Sequence, residues 1–153
     1  MSVPDASAQF MKAYDAPVGA AQLYALSFVT PKLLTAAAGE AKLRGFGISQ
    51  VVPNPNSANY PLTKDFQALV ASLSGKGVTP SPVALEGYLN IRLLVEAIKV
   101  AGPHPTGEKV MQALASMHDY RIGGFPIDFS ASKRTGSNYL DIAVVGRDGR
   151  LMY

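Results

Sequence analysis

The chain has 153 residues, 48% apolar and 16% charged, a length and balance that suit one folded domain with a buried core and exclude a disordered polymer. Its net charge of +3 comes from basic residues scattered singly, so no stripe is present to track a phosphate backbone and nucleic acid is not expected as a partner. The absence of cysteine excludes disulfide frameworks, thiolate metal sites and cysteine nucleophiles, and leaves the redox compartment open.

Residues Asp5 to Tyr14 predict a short helix with Ala6, Phe10, Met11 and Ala13 on one face, ended by the segment Asp15-Ala16-Pro17-Val18-Gly19. Gln22 to Phe28 is a mostly apolar run of strand length. Thr30 followed by Pro31 then predicts a capped helix from Pro31 to Ala38, stopped by Gly39. Phe46 to Val52 predicts a second strand, followed by a loop, PNPNSANYP, in which proline and asparagine leave little alternative.

From Leu62 to Ser74 the residues Phe66, Leu69, Val70 and Leu73 recur at helical spacing and predict a core-facing stripe. Between Glu86 and Ala101 nearly every position is apolar apart from Asn90 and the stripe Arg92, Glu96 and Lys99, so this helix is expected to be buried over most of its circumference. Gly102 and Pro103 end it. Thr106 caps a further helix with Val110, Met111, Leu114 and Met117 inward, after which Phe125, Ile127 and Phe129 alternate as a half-buried strand. Leu140 to Val145 is another strand, and the Asp148-Gly149 pair suits a turn before a last strand from Leu151. Strands alternating with helices predict an α/β fold, helices packed on a mainly parallel sheet.

Catalytic constellations are sparse. The two histidines, His104 and His118, have no partner at metal-binding spacing, so no metal site is expected. Ser27 lacks the flanking glycines of a nucleophile elbow, and Gly45, Gly47 and Gly123-Gly124 form neither a dinucleotide fingerprint nor a P-loop. No enzyme activity and no cofactor is expected. Two places carry unusual combinations at element ends. Ser27-Phe28 stands before a capped helix, where a hydroxyl, helix amides and the helix dipole can hold a carboxylate. Leu85-Glu86-Gly87-Tyr88 leads into the long apolar helix, with Glu86 placed to pair an ammonium group and Tyr88 to supply an aromatic wall. The bland alternatives are that Glu86 merely favours a helix start and Tyr88 merely fills a core.

Four pieces together, AQLYALSFVTPKLL, GFGISQVVPNP, LEGYLNIRLLVEAIKVAG and GGFPIDFSASKRTGSNYLDIAVVGRDGR, make the chain resemble the carboxy-terminal part of periplasmic solute-binding proteins of ABC importers, the family of the leucine/isoleucine/valine-binding protein. The resemblance implies a partial type I periplasmic-binding-protein fold. It implies a binder and no catalyst, in which two lobes close on a small solute and deliver it to a membrane permease. Residues 1–80 would be part of the second lobe, 81–139 part of the first, and 140–153 strands returning to the second. The implied ligand is an amino acid or a related small carboxylic acid, contacted by Ser27, Phe28, Leu85, Glu86 and Tyr88. Where the branched-chain amino-acid binders carry an acidic residue for the α-ammonium, this chain offers Ser27 and Phe28, which leaves aromatic and other carboxylic acids equally open.

A periplasmic location is implied as well, although MSVPDASAQFMKAY has no basic segment followed by an apolar one, so an export signal is expected upstream. Most of the first lobe is expected to lie outside the chain, and sheet edges left uncovered predict self-association into a homo-oligomer. The competing readings are a cytoplasmic sensor of the same fold, and an assembly-forming protein with no competent ligand site.

Overall fold

The computed structural model describes residues 4–15, 17 and 20–153; Ala16, Val18 and Gly19 of the expected helix stop lie outside the described residues. In chain order the described elements are α1 (Pro4–Ala13), β1 (Tyr24–Ala25), α2 (Pro31–Ala38), α3 (Glu40–Leu43), β2 (Gly47–Gln50), α4 (Pro61–Ser72), α5 (Pro82–Ala101), α6 (Gly107–Ala115), β3 (Tyr120–Ile122), β4 (Phe125–Ile127), β5 (Asp141–Val145) and β6 (Leu151–Met152). The α/β class read from the sequence is the class found. Two compact units form, one from Met1–Val51 with Leu140–Tyr153, the other from Val52–Tyr139. The division therefore falls at Val51, whereas the sequence placed a boundary after residue 80. The reason is α4, which packs on α5 through the Phe66 and Tyr88 rings, 5.5 Å apart.

In the first unit the sheet order is β1-β2-β5-β6. β1 and β2 are parallel, with Tyr24 opposite Gly47 and Ala25 opposite Ile48. β5 adds antiparallel to β2, pairing Gly47 with Val144 and Gln50 with Asp141, and β6 folds back on β5. The turn expected at Asp148-Gly149 supplies that reversal, with Gly149 at φ 71°, a conformation glycine adopts without strain. The Tyr24 ring occupies the place a side chain on residue 47 would take, so glycine there lets the two strands close. Met11, Val29, Leu34, Leu43, Phe46, Ile48 and Val145 form the buried core. Each such side chain contributes about 1.5–3 kcal/mol by leaving water.

The strand expected over Gln22 to Phe28 shrinks to two residues. Val29 N–H donates to the Leu26 carbonyl at 2.9 Å, a turn that draws the chain off the sheet so that Ser27 and Phe28 sit in the β1–α2 connection. The helix expected from Pro31 to Ala38 has those limits, and its Thr30 Oγ1 accepts from Leu33 N–H at 3.4 Å. After Gly39, at φ 82°, the chain makes the four-residue α3, which no apolar period announces.

The second unit packs α4, α5 and α6 with a β3–β4 hairpin around Leu62, Phe66, Val70, Leu85, Leu89, Leu93, Ala97, Ile122, Phe125 and Ile127. Gly123 and Gly124, at φ 55° and 83°, make the hairpin turn. Three packing expectations are corrected. On α4 the inner face is Leu62, Thr63, Phe66 and Val70, while Leu69 is exposed. On α6, Met111 is exposed and Ala113 is buried in its place. On α5 only a stripe at four-residue spacing, Leu85, Leu89, Leu93 and Ala97, is buried, whereas Ile91, Leu94, Val95, Ile98 and Val100 are exposed. Apolar composition around a helix marks surface that something can cover; it does not say that this chain covers it.

Candidate functional site

In the first unit the residues that carry chemistry stand where β1 and β2 end. Ligands in open α/β sheets bind outside the carboxyl ends of strands, because backbone groups and helix starts converge there. Neither Ser27 nor Phe28 makes a hydrogen bond within the described structure, so the Ser27 hydroxyl and both amides are free for a ligand. The amide supply of α2 is smaller than expected. Pro31 has no N–H, and Leu33 and Leu34 donate to the Thr30 carbonyl at 3.2 and 3.3 Å, which leaves Lys32 in the first turn.

Gln50 ends β2 and was missed by reasoning from the sequence. It is 1% exposed. Its Nε2 donates to the Ile48 carbonyl at 3.3 Å, while its Oε1 is buried with no partner. The signal available was a long polar side chain inside FGISQVV, which read simply as one position of a strand.

An open hollow of about 680 Å³ is lined by Phe10, Met11, Tyr24, Leu26, Phe46 and Ile142 among others. Ser27 and Phe28 do not line it.

In the second unit Ser81 caps α5 by accepting from Ala84 N–H at 3.2 Å, and Pro82 takes the first helical position. Leu85, Glu86 and Tyr88 therefore lie within the first two turns of α5, and the expectation that they lead into the helix is corrected. Leu85 is 0% exposed and belongs to the core, so it seats α5 and offers no surface to a solute. Glu86 is half-buried, and its carboxylate has no hydrogen bond or ion pair among the described residues. Tyr88 lies against Phe66, with the Arg92 guanidinium 5.6 Å from its ring centre. Arg92 Nη1 donates to Tyr88 Oη at 3.3 Å and to Asp65 Oδ2 at 2.8 Å. Burial acts to lower the Arg92 pKa, but the hydrogen bonds to Asp65 and Tyr88 outweigh it and the pKa is raised.

The histidines are accounted for locally. The His104 carbonyl accepts from Lys109 Nζ at 3.2 Å, and His118 Nδ1 is 3.6 Å from Asp128. Among the described residues no three of the histidine, aspartate and glutamate side chains gather as a metal site would require. Nor is any helix among them long and apolar enough to cross a membrane.

The chain belongs to the periplasmic binding protein family, whose pattern it matches over residues 1–150. Among solved structures it is similar to a substrate-binding periplasmic protein from Ralstonia solanacearum, with 38% identity and a TM-score of 0.84 over 99% of this chain and 43% of that one. It is similar to an extracellular ligand-binding receptor from Verminephrobacter eiseniae, with 33% identity and a TM-score of 0.82 over 100% of this chain and 43% of that one. A possible leucine/isoleucine/valine-binding protein from Rhodopirellula baltica shares the fold at 22% identity, with a TM-score of 0.83 over 98% of this chain and 40% of that one. The chain thus spans less than half the length of these relatives. No curated protein matches it.

Proposed function

We propose that the chain is a ligand-binding portion of a periplasmic receptor that serves an ABC importer, and that its solute is an amino acid or a related small carboxylic acid. The observation that carries the proposal is the Ser27-Phe28 connection, a hydroxyl and two amides without partners at the carboxyl end of β1, in a chain of this family. A carboxylate is the group such donors suit, and the start of α2 adds a favourable dipole. On the second unit taken by itself, Glu86, half-buried with no partner for its carboxylate among the described residues, and Tyr88 are further candidates for contact with a solute. Leu85 acts only through its packing. Transfer of the solute to a membrane permease belongs to the same proposal.

The test is a thermal-shift and calorimetry panel of the L-amino acids, with benzoate and phenylacetate as amine-free acids. A competent site raises the melting temperature at ligand excess, by the equivalent of about 2.7 kcal/mol at a hundredfold excess over Kd. No shift with any of them counts against binding by this chain.

A second reading is favoured by a different observation. β1 is an edge strand, and beside it Phe10, Tyr24, Leu26 and Ile142 are exposed around the open hollow, Tyr24 by 60%. Apolar edges recruit strands from other chains, so copies of this chain pairing there would make an assembly with no ligand of its own. Light scattering at rising concentration separates the readings, since Tyr24→Lys abolishes such pairing and leaves ligand binding intact.

A further inference from the structure

We propose that the outer face of α5 pairs with the same face of a second copy of this chain, the two helices running antiparallel about a twofold axis at Ile91. The pairing involves the second unit alone, and it holds whether or not a solute is bound.

At about 100° per residue, Ile91, Leu94, Val95 and Ile98 share an arc of about 100°, opposite the stripe Leu85, Leu89, Leu93 and Ala97 that packs into the core. All four are exposed. A stripe of that width is what a helix buries against a neighbour, and within this chain it stays open to water. Two observations make a second copy the occupant. The first is shape. Gly87 lies in the same arc, and nothing stands within 4 Å of the place its Cβ would take. Glycine inside a helix is unfavourable, and what it permits is the close approach of another chain. With the helices antiparallel about Ile91, residue 87 of one copy comes level with residues 94 and 95 of the other, so the gap at Gly87 receives Leu94, twice over by symmetry. The second is charge. Arg92, Glu96 and Lys99 fall outside the arc and are already neutralised within the chain, Arg92 by Asp65 at 2.8 Å and Lys99 by Glu96 at 2.8 Å. Two copies that each carry a net charge of +3 therefore meet on this face without unpaired like charges. One helix pair is a small interface, so the copies separate on dilution, and a substitution on this face leaves the stability of the dilute chain unchanged.

Analytical ultracentrifugation at rising concentration is expected to show a monomer–dimer equilibrium that survives Tyr24→Lys. Leu94→Asp is expected to weaken it by roughly 100-fold or more, because it places a carboxylate in an apolar seam. The chain has no cysteine, so a single introduced one reports its own surroundings. Ile91→Cys, on the axis, is expected to be joined to its copy by a short bis-maleimide. Ile98→Cys is not, since antiparallel pairing sets the two copies of residue 98 about 20 Å apart along the helices. A chain that stays monomeric up to its solubility limit overturns the proposal. So does association that is lost in Tyr24→Lys and kept in Leu94→Asp, which would assign it to the β1 edge. Equal joining of the two cysteine variants overturns it as well, since no antiparallel pair about Ile91 treats both positions alike.

Discussion

The Gly123 carbonyl accepts from Leu62 N–H at 2.9 Å, and that same approach closes the space above residue 123. A Cβ there would stand 2.6 Å from Leu62 N and 2.7 Å from Leu62 Cα, with backbone at φ 55° besides. The contact ties the start of α4 to the β3–β4 hairpin. Gly123→Ala is therefore expected to destabilise the second unit by about 2–4 kcal/mol through overpacking and left-handed strain. Gly87 on α5 has nothing within 4 Å of its Cβ direction and an ordinary helical backbone, so Gly87→Ala is expected to stabilise by about 0.5–1 kcal/mol. Urea unfolding of the two variants checks both signs. Equal effects would refute the geometric argument.

Leu85 and Ile91 separate core from cover on the same helix. Leu85 is 0% exposed and Ile91 is 62% exposed. Leu85→Ala is expected to cost about 2–5 kcal/mol through lost transfer energy and a residual cavity. Ile91→Ala is expected to fall within about 0.5 kcal/mol of the parent protein. Denaturant midpoints at constant slope measure both. A large loss at Ile91 would mean that the outer face of α5 is covered in solution, by a partner or a second copy.

Asp128 lies 2.9 Å from Lys133 Nζ and 3.6 Å from His118 Nδ1. The hydrogen bond from Lys133 is the main cause that holds its carboxyl below the ordinary aspartate value, with His118 a smaller contributor. A carboxylate whose folded pKa is depressed adds stability above its unfolded pKa, and that stability is lost as pH falls through the folded value. The window is therefore on the acid side of about pH 4. Carboxyl chemical shifts followed through an acid titration are expected to place Asp128 below a typical exposed aspartate, and Lys133→Ala to move it back up. An unmoved midpoint in Lys133→Ala would remove the ion pair as the cause.

The elements with local chemistry of their own were legible from the residues. Thr30-Pro31 and Gly39 mark both ends of α2, Thr106 caps α6, and Asp148-Gly149 turns β5 into β6, because caps and turns are decided by neighbours in sequence. What was not legible depends on distant contacts. Leu69 and Phe66 are equally apolar, but only the packing of α5 chooses Phe66 as the inner one. β1 is short because a single turn bond at Leu26–Val29 competes with the sheet, and β3 exists only as the partner of β4, with Tyr120 opposite Ile127. The start of α5 at Pro82 is local chemistry too, since a serine cap followed by a first-turn proline is how helices begin. Ser27 was singled out as a candidate by its place before a capped helix. Gln50 was not, since an orphaned oxygen is a property of the fold around it and has no signature in sequence.

Ser27 and Glu86 belong to different units, and each is tested by itself for the solute group its own chemistry suits. Ser27 offers donors, so Ser27→Ala is expected to weaken every carboxylic acid that binds by a similar factor, about 5- to 10-fold, the loss of one hydrogen bond of about 1–1.5 kcal/mol. Glu86 is a carboxylate with no cation beside it, so Glu86→Gln is expected to weaken only solutes that bring an ammonium group, by about tenfold or more, and to spare 2-hydroxy and unsubstituted acids. Calorimetry of the two variants against L-phenylalanine and phenyllactate decides the matter. If Glu86→Gln binds L-phenylalanine as the parent protein does, Glu86 is a surface residue of α5, and the amine is held elsewhere or not recognised as a charge.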